Sequence, residues 1–134
     1  MTISAWLKTV TLWVAILMLA ILNGMLRVGL IIPALGGIAG LITSGLLLSV
    51  CILVVAWIAA PWYGPLISSQ WLLIGLCWLL LTLIFEFSFG HFVQNKTWGE
   101  LLDAYTFKGG NIWPFVLVTT FIAPWFAAKI RNII

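Results

Sequence analysis

The segment SQWLLIGLCWLLLTLIFEFSFG, Ser69–Gly90, runs for 22 residues with a single charged side chain, Glu86. A helix needs about 20 mostly apolar residues to cross the hydrocarbon of a bilayer. Ser69–Gly90 is therefore read as a membrane-spanning helix, with Glu86 about one turn inside its end.

Working upstream, the loop APWYGP (Ala60–Pro65) carries no charge and its prolines stop the preceding apolar run. That run gives a second span, about residues 37–60. A further span covers about 5–26, with Lys8 placed to snorkel at its start. Its apolar stretch Thr9–Leu26 is longer than the about 7–15 residues of a signal-peptide core, and no A-x-A site follows. Between these two spans lies VGLIIPALGG (Val28–Gly37), broken by Pro33, Gly36 and Gly37. It is read as an interfacial turn, with a short re-entrant segment as the alternative.

Downstream, a last span covers about 112–128 and ends at Lys129 and Arg131. Pro114 falls in its first turn, where proline is tolerated. Pro124 is expected to kink its last turn. The polar stretch Gln94–Asn111 precedes it. Thr97-Trp98-Gly99-Glu100 fits the T-x-x-E capping box. Leu101, Leu102 and Tyr105 then give a short apolar face opposite Glu100 and Asp103. These residues predict an amphipathic surface helix over about 98–105, ended by Lys108-Gly109-Gly110. The fold expected is all-α: one polytopic domain over residues 1–134, with four transmembrane helices and this interfacial helix before the last.

Composition agrees. Of 134 residues, 64% are hydrophobic and 7% charged, against about 25% charged in soluble domains. A soluble chain this short could not bury so much apolar surface. The net charge of +3 does not point to nucleic acid, because the basic residues are scattered singly. Four spans put both termini on one side, with Lys8, Lys129 and Arg131. The other side holds Arg27, Lys96 and Lys108. The positive-inside rule then places both termini in the cytoplasm. Trp6, Trp57, Trp62, Trp71 and Trp125 belt the terminal side; Trp98 and Trp113 lie at the other.

Two features stand out. Gly36, Gly40 and Ser44 are spaced by four and put small residues on one face of the second span. Gly45 and Ser49 extend a neighbouring stripe. The face serves contact within the chain, or an interface with a second copy or a larger membrane complex. The other feature is Glu86, because an ionisable group inside a span is costly in hydrocarbon. The same half of the membrane holds Asn23, Arg27, Thr43, Ser44 and His91. Arg27 and Glu86 can form a structural ion pair. Alternatively Glu86, Arg27 and His91 line a hydrated pocket for a proton, an ion or a lipid headgroup. Phe85, Phe87, Phe89 and Phe92 pack around this cluster, or wall a site for an acyl chain or quinone. Cys51 and Cys77 lie in apolar runs and read as packing residues. No metal-ligand spacing, phosphate loop or nucleophile motif is present, so neither an enzyme nor a cofactor is expected.

Phe85-Glu86-Phe87, Gly90, Trp98, Leu101-Leu102, Tyr105 and Gly109 to Trp113-Pro114 together resemble a group of small bacterial inner-membrane proteins. Asn23-Gly24, Leu26-Arg27, Pro33 and Gly36 are similar in the first half. The resemblance implies a bacterial inner membrane and a four-helix architecture, and no activity. Three functions remain open. The first is a non-enzymatic subunit acting through helix packing. The second is a small transporter or channel using the Glu/Arg/His cluster. The third is a lipid- or quinone-binding protein. Membrane lipids are partners in each.

Overall fold

The computed structural model describes residues 2–64, 66–103 and 112–133. They form helices α1 (Ile3–Leu26), α2 (Ile32–Leu35), α3 (Gly37–Tyr63), α4 (Ser68–Ser88), α5 (Trp98–Asp103) and α6 (Trp113–Ile130), with no strand among the described residues. Two π-helical turns, Arg27–Ile31 and Phe89–Val93, continue α1 and α4. Four continuous stretches are long and apolar enough to cross a membrane: Ile3–Leu35, Gly37–Tyr63, Ser68–Val93 and Trp113–Ile130. The protein is an all-α, polytopic membrane protein.

The stretch expected as a turn, Val28–Gly37, is helical through Leu35. Pro33 has no N–H to continue the α ladder, and the register slips just before it: Ile32 N–H donates to Arg27 O, five residues back. The chain breaks at Gly36, whose φ of +90° suits glycine. If straight, 33 residues would measure about 50 Å, against about 30 Å of hydrocarbon. The rod is not straight. Ile32 meets Gly40 and Asn23 meets Ser44. Nine residues on one side thus match four on the other, which requires a bend, and the π-turn is its physical cause.

Other boundaries also move. α3 runs through Pro61 to Tyr63, stopping at Gly64 with φ +79°. The helix that begins at Ser68 continues past Gly90 as a π-turn to Val93 and ends where Asn95 takes φ +56°, a conformation asparagine tolerates. α6 passes Pro124 and reaches Ile130. α5 opens on the expected capping box: Glu100 N–H donates to Thr97 Oγ1 at 3.1 Å. Its Leu101 is buried on Gly90, while Leu102 is exposed. The rest of the expected surface helix, Ala104 and Tyr105, and its Lys108-Gly109-Gly110 stop lie outside the described residues.

α6 packs against both α3 and α4, and α1 packs against α3 and α4 diagonally across from it. The core gathers Leu48, Ile52, Ala56, Trp71, Ile74, Trp78, Val116, Ala123 and Ala127. In lipid the hydrophobic effect does not pull helices together; close packing and interhelical hydrogen bonds do. Small residues accordingly sit at the contacts. A Cβ on Gly75 would overlap the main-chain carbonyl of Phe121, and one on Gly45 would overlap Ile112. Side-chain bonds tie α1 to its neighbours. Trp78 Nε1 donates to Thr9 O at 3.0 Å, Trp13 Nε1 to Thr82 Oγ1 at 3.1 Å, and Thr9 Oγ1 bonds Tyr63 OH at 2.9 Å. At the terminal end, Arg131 lies 4.2 Å over the Trp57 ring and Lys8 5.1 Å over Trp62. Each also donates to the carbonyl of its tryptophan, at 2.8 and 3.0 Å.

Gly75 is therefore the position at which α4 and α6 cannot tolerate a side chain. Gly75→Ala should lower stability by about 2 kcal/mol or more, since a main-chain atom cannot be displaced as a flexible side chain can. Gly29→Ala, which meets open space, should be neutral or slightly stabilising. Unfolding titrations in mixed micelles check the contrast.

Candidate functional site

A cavity of about 340 Å³ lies inside the bundle, toward the end opposite the termini. All four spans build it. α1 and its π-turn contribute Trp13, Ile16, Leu17, Ala20, Ile21, Gly24 and Arg27. Leu48 and Ile52 of α3 and Val116 and Thr120 of α6 close its inner part. Phe85, Glu86 and Gly90 line it from α4 and the following π-turn. Gln94, Lys96 and Glu100 stand at its outer end and are exposed to the surroundings. From Trp13 to Arg27 the lining spans fifteen residues, or about 21 Å of helix. The cavity therefore has an apolar, buried depth and a charged mouth.

The cluster expected from sequence divides in this structure. Arg27 and Glu86 line the same cavity. They do not form a closed pair, since no nitrogen of one lies within 4.0 Å of an oxygen of the other. Glu86 Oε2 instead accepts a hydrogen bond from Trp113 Nε1 at 2.7 Å, which joins α4 to α6. The Arg27 guanidinium folds back along α1, with Nη2 3.5 Å from where a Cβ on Gly24 would stand. That is ordinary van der Waals separation, so the guanidinium lies against α1 at Gly24 without requiring a glycine there.

Asn23 and Ser44 are both buried and bond each other twice. The Ser44 hydroxyl donates to Asn23 Oδ1, and Asn23 Nδ2 donates to Ser44 O at 3.1 Å. This pair fastens α1 to α3 beside the cavity and takes no part in lining it. Thr43 is exposed on the outside of the bundle. His91 also stays out of the cavity: its ring stacks on Trp98 with centroids 4.1 Å apart, and its Nδ1 bonds Lys96 O at 3.0 Å. Those contacts brace the connection to α5. Among the described residues, no three His, Cys, Asp or Glu side chains gather, and both cysteines are free.

The small-residue stripe is used within the chain. Gly40 admits Ile32 of α2, and Ser44 meets Asn23. Gly36 lies at the break between helices and faces open space. Sequence reasoning did not single out Trp113, Lys96, Trp13 or Ala20 as site residues. Trp113 carries a usable signal: a tryptophan at the start of a span has a donor that usually finds a partner when buried.

The Asn23–Ser44 pair predicts a measurable coupling. In a double-mutant cycle with Asn23→Ala and Ser44→Ala, the interaction energy should be about 0.6–1.7 kcal/mol, the range for interhelical hydrogen bonds in membranes. Thr43→Ala, on the same turn but facing outward, should be silent in the same unfolding assay.

Compared with family models, with curated proteins and with solved structures, the chain matches none, which accords with its likeness to a group without an assigned activity.

Proposed function

We propose that this protein binds one amphipathic molecule in its intramembrane cavity, the tail between α1, α4 and α6 and the head beside Arg27 and Glu86. The observation that carries the reading is the polarity gradient of one cavity. Ile16, Leu48, Ile52 and Val116 bury its depth, and Arg27, Glu86, Lys96 and Glu100 mark its mouth. Its volume of about 340 Å³ falls in the roughly 300–1,000 Å³ range of small-molecule sites. This makes the protein a non-enzymatic lipid- or quinone-class binder. The helix-packing subunit has less support, because Gly40 and Ser44 are occupied by neighbours in the same chain. Ion transport also has less support, because Trp71, Ile74, Trp78 and Ala127 fill the core.

The orientation completes the proposal. Lys8, Lys129 and Arg131 at the terminal end favour a cytoplasmic position for both termini in a bacterial inner membrane. The cavity mouth then faces the outer side.

Native mass spectrometry of gently extracted protein tests the binding. The wild type should carry a discrete bound mass above its detergent adducts, and Ala20→Phe, which fills the cavity from α1, should lose it. Identical adducts on a folded Ala20→Phe would overturn the reading. The orientation is checked by single-cysteine labelling in a background where Cys51 and Cys77 are replaced. Lys96→Cys should react with an impermeant maleimide on intact cells whose outer membrane has been opened, and Lys129→Cys should react only after lysis.

A further inference from the structure

The mouth of the cavity has unequal hydrogen-bonding demands. Its carboxylates are engaged: Glu86 Oε2 accepts from Trp113 Nε1 at 2.7 Å, and Glu100 Oε1 accepts from the Thr97 hydroxyl at 3.2 Å. Among the described residues, neither the Arg27 guanidinium nor the Lys96 ammonium donates a hydrogen bond. Lys96 is exposed, but Arg27 is half-buried in the cavity wall. A guanidinium offers five donors in a planar fork that matches a carboxylate or phosphate with two parallel bonds. Holding such a group away from water without a partner is costly. The chemical partner that suits such a fork is an anion.

The surrounding lipid makes the head decisive. A tail that moves from the bilayer into the cavity exchanges one apolar environment for another, so its burial selects little. Selection falls to the polar end. There the guanidinium lies along α1 beside Gly24, and the π-turn begins at Arg27 itself. π-turns inside helices frequently mark functional sites. We infer that the cavity takes a single-tailed amphiphile with an anionic head, a carboxylate or a phosphate, clamped by Arg27 with Lys96 as the second cation. The inference rests on the reading of this cavity as a ligand site. Glu86 and Glu100 on the same rim disfavour a head of high negative charge.

Four probes separate the outcomes on the full chain in a neutral detergent: dodecanoate, dodecyl phosphate, dodecyltrimethylammonium and inorganic phosphate. Titration calorimetry should show at least one of the two tailed anions binding at least about tenfold more tightly than the tailed cation, the effect of one charge-assisted bidentate contact. Arg27→Gln should abolish that preference, Arg27→Lys should keep part of it, and Lys96→Gln should weaken it less. If the wild type binds all three tailed probes within about twofold, the anionic-head assignment is overturned while the cavity remains a binding site. If no tailed probe binds, the cavity reading itself fails and the assignment with it. If inorganic phosphate alone displaces dodecyl phosphate, the site is one for a free anion, and the head-and-tail assignment is wrong. Should Arg27→Gln not fold, the wild-type preference and Lys96→Gln decide.

Discussion

The close approach of α6 to α4 at Gly75 sets the geometry of the bundle. With no Cβ there, the main-chain carbonyl of Phe121 comes into contact with α4. At the start of α6, Gly45 of α3 admits Ile112, and Ala123, Ala127 and Ala128 are buried further along α6. In lipid such contacts replace the hydrophobic effect as the source of cohesion. α6 is accordingly the most buried of the four spans, and α1 the least. α1 stands across from α6 and is held by hydrogen bonds with Trp78, Thr82, Tyr63 and Ser44. The cavity is the space left between a tightly drawn α6 and a more loosely held α1.

Most of the buried polar side chains within the spans have a partner, as hydrocarbon demands; the Trp71 indole N–H, buried with none among the described residues, departs from this. Thr9, Thr82, Thr120 and Ser49 return their hydroxyls to carbonyls one turn back on their own helices, at 2.8–2.9 Å. Glu86 is met by Trp113, and Asn23 by Ser44. Arg27 differs from Glu86, Asn23 and Ser44: it lines the cavity and, among the described residues, donates no hydrogen bond.

The spans were legible because a run of apolar residues bounded by proline and glycine has few other meanings at these lengths. Thr97 and Glu100 were legible as a cap, because that spacing fixes its own geometry. The helical course of Val28–Leu35 was not. Pro33 marked a break in the ladder, but a proline can end a helix or slip its register, and nothing local decides between them. Gly75 was missed because it belongs to no spacing pattern; its importance comes entirely from Phe121 on another helix. The partner of Glu86 was missed for a related reason. Which faces meet depends on packing, and apolar spans carry no polar stripe to show which side turns inward. Arg27 and Glu86 line one cavity, yet a shared level in the bundle does not specify contact.

The two ends of the bundle differ in a way that bears on mechanism. At the terminal end cations lie over tryptophan rings, Lys8 on Trp62, Arg131 on Trp57 and Lys129 on Trp125. Such pairs sit well at a membrane surface, where the ring is half in lipid and the charge in water. Behind them Tyr63 and Trp71 meet edge to face, 5.4 Å between centroids, and Trp78 fills the level above. At the other end, Arg27, Glu86, Lys96 and Glu100 stand around the cavity. A route through the membrane would require the tryptophan layer to open, against hydrogen bonds and aromatic contacts that join α1, α3 and α4. For the ligand proposed above, exchange through the charged end would require far less. It asks only that α1 yield near Arg27, where a π-turn has already replaced the regular ladder.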